Sequence, residues 1–89
     1  MGLAPDGGLL VPETIPDVRD RLEDWRGLSF EALATEIVAL YCDDIPRADL
    51  EALVHRSYAT FDDPAVTPLV AVGDVQVLEL WHGPTLAFK

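Results

Sequence analysis

Basic residues are scarce in this chain. Six lysines and arginines stand against sixteen aspartates and glutamates in 89 residues, a formal charge of −10. A phosphate backbone would be repelled by that surface, so nucleic acid is not an expected partner. Long apolar runs are missing too. None approaches the roughly 20 residues that span a bilayer, and no basic stretch followed by an apolar one opens the chain as a secretory leader would. No membrane partner is expected. Cysteine is reduced to Cys42, which cannot close an internal disulfide, and the expected compartment is a reducing cytoplasm. Internal repeats and low-complexity segments are also lacking.

What is present reads as a small globular unit. Apolar residues make up 49% and charged residues 25% of the chain, at a length where a single core becomes marginal. The acidic side chains are dispersed rather than gathered in a block, which reads as solvated surface.

Gly2-Leu-Ala-Pro-Asp-Gly-Gly8 is a turn sequence, and Leu9-Leu-Val11 reads as a short strand closed by Pro12. No helix start carrying a lysine and a hydroxyl follows the glycines, so a phosphate-cradling P-loop is excluded. Val18, Leu22 and Trp25 fall at i, i+4 and i+7, a thin stripe on a short helix with Asp17 as N-cap and Gly27 as its end. Ser29 caps a stronger helix, Phe30 to about Cys42. Phe30, Leu33, Ala34, Ile37, Val38 and Tyr41 line one face of it, and Glu31 suits its first turn.

Asp43-Asp-Ile-Pro46 breaks that helix and starts another, with Pro46 suited to the first helical position. Leu50, Leu53, Val54, Tyr58 and Phe61 repeat the apolar spacing, and the short connection predicts an antiparallel αα-hairpin. After a loop from Pro64 to Pro68, Leu69–Val72 and Val75–Trp81 read as two strands. Gly73-Asp74 between them fits a type II′ hairpin turn.

Most polar residues carry ordinary readings. Asp43-Asp44 and Asp62-Asp63 sit at helix ends without a companion at ligand spacing, and read as solvated turn residues; no metal site is expected. His55 falls on the polar side of its helix. Cys42 closes an amphipathic helix and fills space. Ser29, Ser57 and His82 are too far apart in the chain to argue a catalytic triad.

The last stretch, Val75 to Lys89, carries the chemistry. An apolar run ends at Gly83-Pro84, and Leu86-Ala-Phe88 then delivers Lys89. A lysine amine among apolar neighbours loses hydration and shifts toward its neutral form, the state that attacks an aldehyde to form a Schiff base. His82 and Thr85 flank the Gly-Pro turn. Either they hydrogen-bond within the loop, or they hold a substrate phosphate or carboxylate beside the lysine.

Leu80-Trp-His-Gly-Pro-Thr-Leu-Ala-Phe-Lys89 closely resembles the threonine synthase segment whose lysine carries pyridoxal phosphate. Gly2 to Pro16 resembles the amino-terminal motif of that family, and Leu28 to Ile37, continuing to Pro46, resembles its helical segment more loosely. Trp81 stands where phenylalanine is commoner.

The resemblance implies an α+β or α/β fold: a small amino-terminal domain with an αα-hairpin and a short β-hairpin, belonging to a larger fold-type II pyridoxal-phosphate enzyme. Residues 1–68 would be the mostly helical amino-terminal domain. Residues 69–89 would be the hairpin and cofactor-lysine segment that opens a truncated catalytic domain.

The family converts O-phospho-L-homoserine and water to L-threonine and phosphate. Lys89 is implied as the catalytic and cofactor-binding residue, with Thr85 and His82 as substrate-binding candidates. The family continues past this lysine into a large α/β body with a Ser/Gly/Asn-rich loop for the cofactor phosphate. The expectation is therefore a fragment, inactive alone, whose partner is the remainder of the catalytic domain. The alternative is a non-catalytic docking or assembly module.

Overall fold

The computed structural model describes residues 3–88. Its opening is the expected turn: Gly7 adopts φ +85°, and its N–H reaches Ala4 O at 2.9 Å while Ala4 N–H reaches Gly8 O at 2.7 Å. The strand expected at Leu9–Val11 does not form. All three side chains are exposed, and the segment pairs with neither strand of the only sheet among the described residues, so nothing satisfies the backbone groups that a strand must pair.

The helix expected from Val18 is a 3-10 turn, Arg19–Arg21, followed by the single-turn α1, Leu22–Trp25. Asp17 is not its N-cap: Val18 holds that position, without a side-chain cap, and Asp17 instead closes a local turn one residue earlier. Its carboxylate accepts the Arg19 N–H at 3.1 Å and takes the guanidinium Nε at 2.9 Å.

Helix α2 spans Phe30–Ala39. Ser29 Oγ caps it by accepting the Ala32 N–H at 3.2 Å, which satisfies a donor the helix cannot. It ends three residues before Cys42 because the final turn tightens: Leu40 and Tyr41 bond back three residues, at 3.2 and 3.0 Å. Helix α3 spans Arg47–Tyr58. Pro46 lies one position before its expected place, as the N-cap, and its carbonyl accepts the N–H groups of Asp49 and Leu50, both at 3.0 Å.

Two side-chain contacts mark the direction of this helix pair. Glu31 at the start of α2 meets His55 near the end of α3, Oε2 to Nδ1 2.9 Å, while Glu36 further along α2 pairs with Arg47 at the start of α3. The hairpin is antiparallel, as the short connection predicted. Leu50, Val54 and Val66 form its buried apolar centre, with Thr35 buried beside them. The Thr35 hydroxyl donates to Glu31 O at 2.9 Å, so it enters the interior satisfied. Ile37, Val38, Tyr41 and Leu53 remain exposed. The unbroken buried face expected for α2 is thus buried only in part, because α3 alone is too narrow to cover it.

Strands β1, Leu69–Val72, and β2, Val75–Leu78, pair antiparallel with Leu69 opposite Leu78 and Val72 opposite Val75. Gly73 takes φ +58°, as the first central position of a type II′ turn requires. β2 stops at Leu78 rather than Trp81. Glu79 N–H still reaches Pro68 O at 2.9 Å, but Pro68 has no N–H to return, so the ladder ends there.

Candidate functional site

Beyond β2 the chain turns back toward the end of α3. Asp62 N–H donates to His82 O at 3.0 Å, so residues 61–62 and 82–83 run against each other. Gly83 is buried, and a Cβ built on it would lie 2.9 Å from Phe61 Cζ. Only glycine allows the backbone this close to the ring. Tyr58 sits between Phe61, centroids 5.3 Å apart, and Phe30, 4.8 Å away edge to face. The wall is aromatic and continuous.

His82 holds this junction. Its side chain is only 15% exposed, and both ring nitrogens face carboxylates: Nδ1 lies 2.6 Å from Asp62 Oδ1 and Nε2 lies 2.8 Å from Glu79 Oε1. Two acceptors can be satisfied together only when both nitrogens carry protons. The Glu79 hydrogen bond raises the His82 pKa above its ordinary value, Asp62 adds to the rise, and burial opposes it. The Trp81 indole lies 5.6 Å from the imidazole, tilted by 34°. An imidazolium in this setting has both N–H groups engaged.

Gly83–Leu86 is a β-turn, with Leu86 N–H on Gly83 O at 3.0 Å. Thr85 Oγ1 donates to Ala87 O at 3.4 Å. Leu86 adopts φ +56° although its side chain is 73% exposed. The turn closes a pocket of about 320 Å³ lined by Phe30, Tyr58, Phe61, Gly83, Thr85 and Phe88, among others. Lys89 lies outside the described residues, directly after Phe88 of this lining. The structure therefore brings Thr85 to the pocket and sets His82 behind it, bonded to Asp62 and Glu79.

No cationic side chain lines this pocket among the described residues; its polar groups are hydroxyls such as Ser57, Thr67 and Thr85. Hydroxyls alone do not balance a phosphate dianion. The described residues by themselves do not fit the phosphate of a phosphorylated cofactor. A larger apolar groove of about 470 Å³ runs between Ile15–Leu28 and α2 and holds none of the candidate residues. Among the described residues, no group of three or more metal-ligating side chains is found, and no helix is long and apolar enough to cross a membrane.

Asp62, Glu79 and Phe61 are site-building residues that a linear reading passes over. Asp62 reads as a solvated turn residue, and its partner is 20 positions away. The nearest signal is the Glu79–His82 spacing of three, which here joins the two residues across a non-helical bend.

Comparison with known proteins gives the family. The family model described as Threonine synthase N terminus matches residues 1–58. The threonine synthase of Saccharomyces cerevisiae is 52% identical over 97 aligned positions, covering 99% of this chain and 19% of that protein. Threonine synthase-like 2 of Xenopus laevis is 44% identical, again over 99% of this chain and 20% of its own length. The crystal structure of threonine synthase from yeast superposes with a TM-score of 0.85 at 51% identity, over 98% of this chain and 19% of that one. A threonine synthase from Brucella melitensis, solved with PLP bound, gives 0.86 at 42% identity, with the same two coverages of 98% and 19%. The chain thus spans about a fifth of the length of these relatives. The small helical unit and its two-stranded antiparallel sheet match part of the threonine synthase fold, and the chain belongs to the threonine synthase amino-terminal family.

Proposed function

We propose that this chain forms the amino-terminal part of a threonine synthase, a phosphate-releasing lyase of amino-acid biosynthesis working in the cytoplasm. The protein it belongs to converts O-phospho-L-homoserine and water to L-threonine and phosphate, and Lys89 carries pyridoxal phosphate. When bound, that cofactor supplies an electron sink for a substrate carbanion. The observation that supports this reading is the 52% identity to the yeast enzyme across 99% of the chain, which includes the segment running into the lysine.

The chain's own residues have narrower tasks. Gly83–Leu86 turns the backbone after the buried Gly83, and the Phe30–Tyr58–Phe61 wall excludes water from one side of that turn. Thr85 is the substrate-binding candidate at the pocket, and binding a substrate oxyanion would take its hydroxyl from Ala87 O. The remainder of the catalytic domain is the partner that provides a phosphate grip.

The test uses the fact that Lys89 is the sole lysine, since five of the six basic residues are arginines. The chain is mixed with pyridoxal phosphate, reduced with borohydride and mapped by mass. Label on Lys89 in excess of label on the α-amino group, and absent from Lys89→Ala, is the expected result. Equal labelling of both amines would mean that the remainder of the catalytic domain is needed to build the site, or that the chain is a docking or assembly module. Phosphate release from O-phospho-L-homoserine is expected only when the rest of the catalytic domain is supplied.

A further inference from the structure

His82 is set apart from the other polar residues of the chain. It is mostly buried, bridges two segments that are otherwise loop, and sits one residue before the glycine on which the pocket wall closes. Its partners differ in burial: the Glu79 side chain is 21% exposed and the Asp62 side chain 67%. Asp63 adds a further negative charge nearby. Asp62, Asp63 and Glu79 are the charged groups that face the ring.

We propose that His82 is a positioning residue of the site: by bridging Glu79 and Asp62 it seats the Phe61 ring against Gly83 and so sets the wall of the pocket lined by the residues that precede Lys89 in sequence. The relevance to cofactor attachment rests on the reading of Lys89 above; the positioning itself does not.

The two arms of the bridge are unequal, and this gives the device a direction. A neutral imidazole keeps one N–H and exposes one lone pair. The more buried Glu79 has less water to replace a lost donor, so it retains the N–H on Nε2. The lone pair then falls on Nδ1, 2.6 Å from the Asp62 carboxylate. Two acceptors repel at that distance. Asp62, more exposed and able to take water instead, moves away and draws Phe61 with it. Deprotonation of His82 thus loosens the pocket wall while leaving the Glu79 arm closed.

The experiment follows three groups in one pH titration of the chain by NMR: the His82 ring nitrogens, the Phe61 ring protons and the Gly83 amide. The expected result is a single midpoint for all three, above the ordinary histidine value near 6.5. Glu79→Gln moves that common midpoint down. Asp62→Ala leaves Phe61 and Gly83 unresponsive to the His82 titration. Phe61 and Gly83 signals that stay constant while His82 titrates in the unaltered chain would overturn the proposal, and that observation needs no variant to fold. Lys89 labelling by pyridoxal phosphate, measured with the rest of the catalytic domain supplied, separates the two ideas. Coupling without labelling removes the cofactor reading alone; labelling without coupling removes the positioning role alone.

Discussion

The Phe61 ring occupies the space that a side chain on Gly83 would need, with Cζ 2.9 Å from the position of a Cβ there. Gly83 has no left-handed φ, so its requirement is room rather than backbone freedom. Gly83→Ala therefore forces the ring off its seat. Overpacking of this kind costs about 1–3 kcal/mol, read as a lower urea midpoint at unchanged slope. The loss shrinks in a Phe61→Leu background, and the double-mutant cycle measures the coupling.

Leu86 and Val66 both adopt left-handed backbone, at φ +56° and +61°. For a side-chain-bearing residue this costs roughly 1–2 kcal/mol. The Leu86 side chain is 73% exposed and that of Val66 only 5%. Leu86→Gly relieves strain at little cost in burial, less the unfolded-state entropy of a new glycine, and raises the thermal midpoint. Val66→Gly relieves the same strain but forfeits about 1.5 kcal/mol or more of buried apolar side chain, and does not raise it.

Helix capping offers a cleaner measurement. Ser29→Ala removes the acceptor 3.2 Å from the Ala32 N–H and is expected to cost about 1 kcal/mol. Helical circular dichroism should report the loss, and Ser29→Asp should restore it.

The pH dependence of stability follows from His82, whose pKa is raised in the folded chain chiefly by its hydrogen bond to Glu79. A group whose pKa is higher folded than unfolded stabilises fully below the unfolded value, near 6.5. That contribution is lost as pH rises through the folded value. Urea melts across this range should show stability falling with rising pH, and Glu79→Gln should flatten the fall.

Local chemistry made part of this molecule legible in advance. Ser29 with its 3.6-residue apolar spacing, and Gly73-Asp74 between two apolar runs, each encode an element within a few residues, so α2 and the hairpin stand where they were expected. Elements that depend on a distant partner did not announce themselves. Leu9–Val11 has strand composition and no strand beside it. Trp81 has strand composition too, but Pro68 opposite Glu79 ends the ladder before it. The His82 bridge is a contact between residues 20 apart in a non-periodic loop, and spacing rules carry no signal for that. His82 and Thr85 were legible as the two polar residues of the Gly-Pro turn, whereas the roles of Asp62, Glu79 and Phe61 emerge only once the chain folds back.

The distribution of packing bears on how the chain comes apart. The principal contacts between elements are α2 with α3 and β1 with β2, and both pairs are neighbours in sequence. Each is a local unit able to form before the other. The strip from Phe61 to Asp62 against His82 to Gly83 joins the segment after β2 to the end of α3. Amide hydrogen exchange should therefore resolve two cooperative units rather than one, with α2 and α3 opening together around Leu50 and Val54. The Asp62 amide, bonded to His82 O, should exchange at the rate of the clasp, not of either unit.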